Sequence, residues 1–449
     1  MTRRGPEPGR RTPLARVPLA ATAIVAGGAL ALGACGGGDS GSSGGTTTIT
    51  YWDTNASAAN NPRWNHTIAE FEKRNPTIKV KYVGIPIAQV QQKLDTAIAT
   101  GGLPDAGGMT TALLAGVAGQ GALEPLDERL AKSPLNGKIN NTFLQLTKQA
   151  GPDGKLYELP SNANMGVLWY RPDWFKDKGL KPPETWDDFY TAAERLTDAG
   201  DNRYGYTIRG GAGSIAQVLE FMYAQSGITQ IFDAQGKATL NDPRNVAALQ
   251  KTVALYKKNT PSADVNNDYI KMTAQFDGGT IGMMQHNLGS YGDHKKALGE
   301  GRFAGVPIPA LPDGTRVVIS NPIGGTAVFK SSKHKDAAWK FAEFVSSKEM
   351  TSYWSRQQGQ IPANTDAAAE PWIKENPTLE NAIRATNDPK TKIVQLPYHL
   401  PEFNAMTKAE AEPQFQKVLL GQLTPQAFLD ELAKKFTEAE AEFRERKGN

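Results

Sequence analysis

The sequence predicts a two-domain α/β protein, an expectation carried by its opening pattern, by the helices that follow and by its length. Ile49 and Tyr51 alternate, Trp64, Ile68 and Phe71 recur at helical spacing, and Ile78, Val80 and Tyr82 alternate again. That succession of periods reads as strand, helix, strand, for which a parallel sheet is the economical arrangement. The chain has 449 residues, of which the first 34 read as a removable leader. The remainder is longer than one ordinary core accommodates, and no internal repeat organises it.

The helices are marked by stripes and end signals. Ile87, Val90, Leu94 and Ile98 predict one buried face, and Gly101-Gly102 ends that helix. Thr185 and Asp188, behind Pro182-Pro183, form a capping-box pair ahead of Phe189, Ala193 and Leu196. Trp339, Phe341, Phe344 and Val345 mark a helix over 336–346. Thr424-Pro425 opens a final one with Phe428, Leu432, Phe436 and Phe443 inward. These stripes, together with Trp169 and Trp186, are assigned to core. Tyr204 to Arg209 reads as a further strand.

Residues 1–34 have the pattern of an export signal. Arg3, Arg4, Arg10, Arg11 and Arg16 precede an apolar run from Val17 to Leu32, and Leu32-Gly33-Ala34-Cys35 follows. The run is too short and too rich in Gly and Ala for a permanent span, which takes roughly 20 strongly apolar residues. Cys35 is the only cysteine, so no disulfide forms within the chain and no cysteine-based zinc site is available. Residues 35–48, rich in Gly, Ser and Thr, read as a flexible spacer between a surface and a folded body.

Composition narrows the partners. Taking the leader's five Arg and one Glu from 50 basic and 46 acidic residues leaves 45 of each. A neutral body gives no reason to expect nucleic acid or another polyanion. The five histidines include no i, i+4 pair, so neither a metal nor a cofactor is expected.

The order of short motifs is more specific than any one of them. Trp52 ends the first strand, and Gly102-Leu103-Pro104-Asp105 and Gly121-Ala122-Leu123-Glu124-Pro125-Leu126-Asp127 follow. Next come Gly154-Lys155-Leu156-Tyr157-Glu158-Leu159-Pro160, Leu168-Trp169-Tyr170-Arg171 and Pro183-Glu184-Thr185-Trp186-Asp187-Asp188-Phe189. Gly279-Thr280-Ile281-Gly282-Met283, Gly324-Gly325 and Gly359-Gln360-Ile361-Pro362 complete the series. This order resembles the extracellular sugar-binding family that serves ATP-driven importers, the maltose-binding-protein-like group, over nearly all of residues 48–440. Two departures stand out. Tyr170-Arg171 replaces the family's usual Tyr-Asn, and a Trp often found after the Gly-x-x-x-Met stretch is absent, with Tyr291 nearby. The solute of a well-known relative is therefore not carried over.

The resemblance implies a type II periplasmic-binding-protein-like fold, two α/β lobes joined by a hinge around an interlobe cleft. Lobe 1 is expected over 49–160 and 317–359, and lobe 2 over 161–316 and 360–449. It further implies a monomeric, non-enzymatic receptor for a neutral carbohydrate that delivers its solute to an ABC transporter permease. Cys35 would then be the lipidated residue that anchors it to the outer face of a bacterial cytoplasmic membrane.

A sugar presents hydroxyls that donate and accept, and a flat C–H face that packs on a ring, so its site needs amides, carboxylates and aromatics together. By position in the family pattern, Trp52 and Tyr291 are expected as stacking platforms. Asn55, Thr110, Asn162, Asn164, His286 and Asn287 are expected as hydroxyl partners, with Gly325 in the wall. Glu220 would accept from two hydroxyls, and Gln357 and Gln358 would couple contact to closure. Each has a plainer alternative: lobe core for the rings, turn caps for the asparagines, a solvated helix face for Glu220. Asp105 is assigned a structural task, satisfying backbone donors at a strand start.

Three other functions fit less well. A glycosidase needs two carboxylates at a set separation, roughly 5–9.5 Å, which no sequence shows; there is no Gly-x-Ser-x-Gly elbow and no cysteine nucleophile in the body. Gly211-Ala212-Gly213-Ser214-Ile215-Ala216 matches a dinucleotide fingerprint, yet a helix opening on the cleft explains the same glycines. A receptor for a peptide, amino acid or polyamine of similar build would call for several cleft carboxylates, where amides predominate.

Overall fold

The computed structural model describes residues 45–58 and 60–447. The leader, Cys35 and most of the spacer lie outside the described residues. Strand β1, Thr47–Asp53, and strand β2, Ile78–Gly84, pair in parallel from Thr47 opposite Ile78 to Asp53 opposite Gly84. Helix Asn61–Arg74 joins them and buries Trp64, Thr67 and Phe71, so the opening pattern is a strand–helix–strand unit.

The other strands are β3 Ala106–Thr110, β4 Leu159–Ala163, β5 Gly166–Tyr170, β6 Met283–Asn287, β7 Ala304–Pro307, β8 Arg316–Ile319, β9 Ile323–Val328, β10 Ile361–Pro362 and β11 Thr391–Val394. Among the described residues they form a six-stranded sheet in the order β10-β4-β9-β3-β1-β2, a three-stranded sheet β6-β5-β7, and the pair β11-β8. β1 is parallel to both of its neighbours, whereas β9 runs antiparallel to β3 and β4.

The chain passes between the six-stranded sheet and the elements around the two smaller ones at three places. Asn164 and Met165 separate β4 from β5, Ser320 to Pro322 separate β8 from β9, and the segment after β10 leads to helix Pro377–Asn387, which packs on β7. The crossings therefore fall a few residues after the expected divisions at 160, 316 and 359. β4 belongs to the first sheet because it pairs with β9, and β10 because it pairs with β4.

Alternation along β1 sorts its side chains onto opposite faces. Tyr51 is fully buried with Trp64, Phe71 and Phe341, while Trp52 packs on the other face with Leu94, Leu114 and Phe329. In the second lobe, Trp186, Phe189, Tyr206 and Phe221 form an edge-to-face and stacked cluster with ring centroids 5.0–5.6 Å apart. Trp169 is enclosed by Tyr291, His294 and Phe303.

Local signals hold with two exceptions. The capping box is complete: Thr185 Oγ1 accepts from the Asp188 N–H, and the Asp188 carboxylate accepts from the Thr185 N–H. Asp105 accepts the Thr50 N–H at 2.8 Å and the Ser332 hydroxyl at 2.6 Å, tying β3 to β1. Ile87 departs from the expected stripe. It lies in a short 3₁₀ turn before helix Val90–Thr100 and is 74% exposed, because Pro86 and the tighter turn rotate it off the face shared by Val90 and Leu94. Tyr204 to Arg209 forms no strand; a single bridge from Tyr204 to Ile281 is its ladder contact.

Candidate functional site

The ends of β1, β3 and β4 and the start of β9 meet along one edge of the six-stranded sheet, as their registers require. Asp53, Thr110, Asn162 and Gly324 stand at that edge and line a cavity of about 710 Å³, a volume typical of small-molecule sites. The other wall comes from helix Ser214–Ser226 through Ile215, Ala216 and Leu219, from Asn287 at the end of β6, and from the segment between Leu396 and Glu412. The cavity thus lies between the lobes.

Aromatic rings back the first wall. Tyr51 lies 4.7 Å from Trp64 and Trp64 4.9 Å from Trp354, centroid to centroid, and Trp354 Nε1 donates to Thr67 Oγ1 at 3.0 Å. An amide chain runs beside them. Asn60 Nδ2 donates to the Asn55 carbonyl at 2.9 Å, and Gln358 Nε2 donates to Asn60 Oδ1 at 3.2 Å. Asn164 Oδ1 and Gln360 Oε1, both in the cavity wall, have no hydrogen-bond partner among the described residues. Buried acceptors of that kind are costly unless a donor reaches them. Gly325 is required by space: a Cβ there would lie 2.3 Å from the Leu159 carbonyl and 2.7 Å from Glu158 Cγ.

The charged groups at the cavity are mostly engaged. Asp53 accepts from Tyr82 Oη at 2.8 Å and from the Asn55 N–H at 2.9 Å, and burial raises its pKa above the ordinary carboxylate value. Glu412 accepts the Gly213 N–H at 2.6 Å, at the start of helix Ser214–Ser226. A carboxylate there satisfies a helix amino terminus that would otherwise attract a solute anion. Lys408 reaches the cavity from the π-helix Ala405–Ala411.

Of the positions expected from sequence, Asn55, Thr110, Asn162, Asn164, Asn287, Gly325 and Gln358 line the cavity. The structure places the other five elsewhere. Trp52 points to the opposite sheet face, where Lys93 Nζ sits 4.9 Å from its ring centroid. Tyr291 packs against Phe303 and Gly359. His286 stacks on Tyr269 at 4.4 Å, with burial and the Arg209 guanidinium lowering its pKa to about 3. Glu220 is buried against Gly166, and Gln357 faces solvent. Sequence reasoning missed Trp64 and Asn60, which sit on the first connection, Lys408, whose π-helix has no sequence signal, and Glu412, which opens the helix after it.

Among the described residues no group of three or more His, Cys, Asp or Glu is placed to hold a metal ion, and no helix is long and apolar enough to cross a membrane.

Residues 29–352 match the family described as bacterial extracellular solute-binding protein. Among curated relatives, a mannitol-binding protein of Pseudomonas aeruginosa is 28% identical over 380 residues, covering 79% of this chain and 84% of its own. An arabinooligosaccharide-binding protein of Bacillus subtilis is 27% identical over 334 residues, covering 71% and 74%. Among solved structures, the sugar-binding protein MalE of Xanthomonas citri superposes with a TM-score of 0.77 at 22% identity, covering 89% of this chain and 98% of that one. A solute-binding protein of Agrobacterium vitis with bound D-mannitol gives 0.66 at 26% identity, covering 90% and 99%. The cleft between two α/β lobes and the match along most of the sequence agree, and the chain belongs to the bacterial extracellular solute-binding protein family.

Proposed function

We propose that this chain captures a small neutral carbohydrate or polyol in its interlobe cleft and hands it to the permease of an ABC transporter, without chemical turnover. The observation that carries the reading is the composition of the cavity wall. Amides from both lobes and from the crossings (Asn55, Asn162, Asn164, Asn287, Gln360) stand beside the rings of Trp64 and Trp354. Amides donate and accept at once, as a set of hydroxyls demands, and rings take up the C–H face. The carboxylates at the cavity are held by Tyr82, by the Asn55 N–H and by the Gly213 N–H, which favours binding over acid–base chemistry. The names of the mannitol- and arabinooligosaccharide-binding relatives support the same class of solute.

The Leu32-Gly33-Ala34-Cys35 pattern and the spacer behind it support export and lipid anchoring at Cys35, with a monomeric body held outside the cytoplasmic membrane. A thermal-shift screen against neutral sugars and polyols, with amino acids, peptides and polyamines on the same plate, tests the reading. A solute at about a hundredfold excess over its dissociation constant adds about 2.7 kcal/mol to folded-state stability. A shift with sugars or polyols alone is expected; a shift with amines or peptides alone would overturn the carbohydrate assignment.

A further inference from the structure

Glu220 belongs to the helix that forms the cleft's second wall, yet its side chain turns away from the cavity. Helix Ser214–Ser226 directs Ala216 and Leu219 to the cavity and carries Glu220 behind them, 4% exposed. The carboxyl lies directly over Gly166, where a Cβ would come within 2.7 Å of Oε2 and 2.8 Å of Oε1. Gly166 is the first residue of β5, immediately after the crossing at Asn164 and Met165. The same helix packs along β8, whose last residue, Ile319, immediately precedes the crossing at Ser320 to Pro322 and whose backbone N–H works against burial in setting the carboxyl's pKa. One buried side chain therefore sits against the base of one crossing, on a helix that packs along the strand leading into another and whose amino end faces the cavity.

We propose that Glu220 is a positioning residue for lobe closure, clamping the cleft helix to both hinge strands so that a displacement at the helix's amino end is passed to the crossings. The inference rests on reading the interlobe cavity as the solute site. Gly166 is part of the device, since any side chain there would displace the carboxyl. Burial pushes the carboxyl up to about 8, and the titratable side chain facing it is the buried phenol of Tyr206. At neutral pH the group is then mainly the uncharged acid. A glutamine amide has the same shape and fills the same space over Gly166, whereas alanine leaves it empty.

The test reads the hinge without any solute, so it stands or falls apart from the carbohydrate assignment. The full chain carrying Cys35→Ala receives spin labels at two exposed positions, Lys132→Cys in the first lobe and Lys237→Cys in the second. Interlobe distances are measured by pulsed electron resonance for the parent, Glu220→Gln and Glu220→Ala. The expected result is a distribution about twofold wider for Glu220→Ala and unchanged for Glu220→Gln, with cooperative melting in all three. A Glu220→Ala distribution that matches the parent, or a Glu220→Gln distribution as wide as that of Glu220→Ala, would overturn the proposal. Should Glu220→Ala not fold, Gly166→Ala carries the test, with the same widening expected and a parent-like distribution overturning it.

Discussion

Acid should weaken this protein through His286, and the size of the effect follows from its surroundings. The imidazole is stacked on Tyr269, its Nδ1 has no hydrogen-bond partner among the described residues, and burial beside Arg209 lowers its pKa from 6.5 to about 3. A histidine held neutral in the folded state is protonated first in the unfolded one, so stability is intact above pH 6.5 and is lost as pH falls toward 3. Integrating the proton difference from pH 7 to 4.5 gives about 2.5 kcal/mol, with roughly half of it gone by pH 5.5. This is a ceiling, since the residue is only half-buried. The assay is urea unfolding followed by tryptophan fluorescence at pH 7, 5.5 and 4.5, for the parent and for His286→Gln. The parent should lose about 1–3 kcal/mol more than the variant between the extremes. Parallel losses in the two proteins would refute the reasoning, because the variant removes the titrating group and leaves every other acid-sensitive pair in place.

Trp52→Ala should destabilise the fold by about 3–5 kcal/mol and leave solute affinity unchanged, since the ring fills the core behind the sheet; denaturation and titration calorimetry read the two effects separately. Asn164→Ala should do the reverse, costing about 1–2 kcal/mol of solute affinity by calorimetry with little change in melting temperature. Gly325→Ala forces the backbones of β4 and β9 apart, so stability should fall by about 1–3 kcal/mol in denaturant titration, with weaker solute binding. Cys35→Ala should release the protein from sedimented membranes without altering affinity.

Much of the site could be read from sequence wherever a motif fixes a residue relative to a crossing. Asn162 follows the Gly154-to-Pro160 motif into β4 and Asn164 stands just beyond it, and Gly325 lies in a glycine pair that β4 presses against; all three reach the cavity. What sequence left open was which side a residue faces. Tyr51 and Trp52 both fit a strand that alternates, and a period of two leaves the cleft side unassigned. On helix Ser214–Ser226 the cavity takes Ala216 and Leu219, and Glu220, a further 100° around, turns to the hinge. Ile87 was misplaced by a single 3₁₀ turn, which shifts the register of a stripe that otherwise holds. Asn404, Lys408 and Glu412 come from a segment more than two hundred residues from the first wall, in and on either side of a π-helix whose sequence marks neither its type nor its neighbour.

The three passages between the sheets also set how freely two such bodies can swing. A single strand would leave one half to tumble about a swivel, and a ligand would have to pay for arresting that motion. Three nearly adjacent passages, two bordered by the β8–β11 ladder and by β4 with its partners, remove most twisting and sliding and leave one soft rotation. Little chain entropy then remains to be surrendered when the halves meet, so a solute with few contacts can be held tightly.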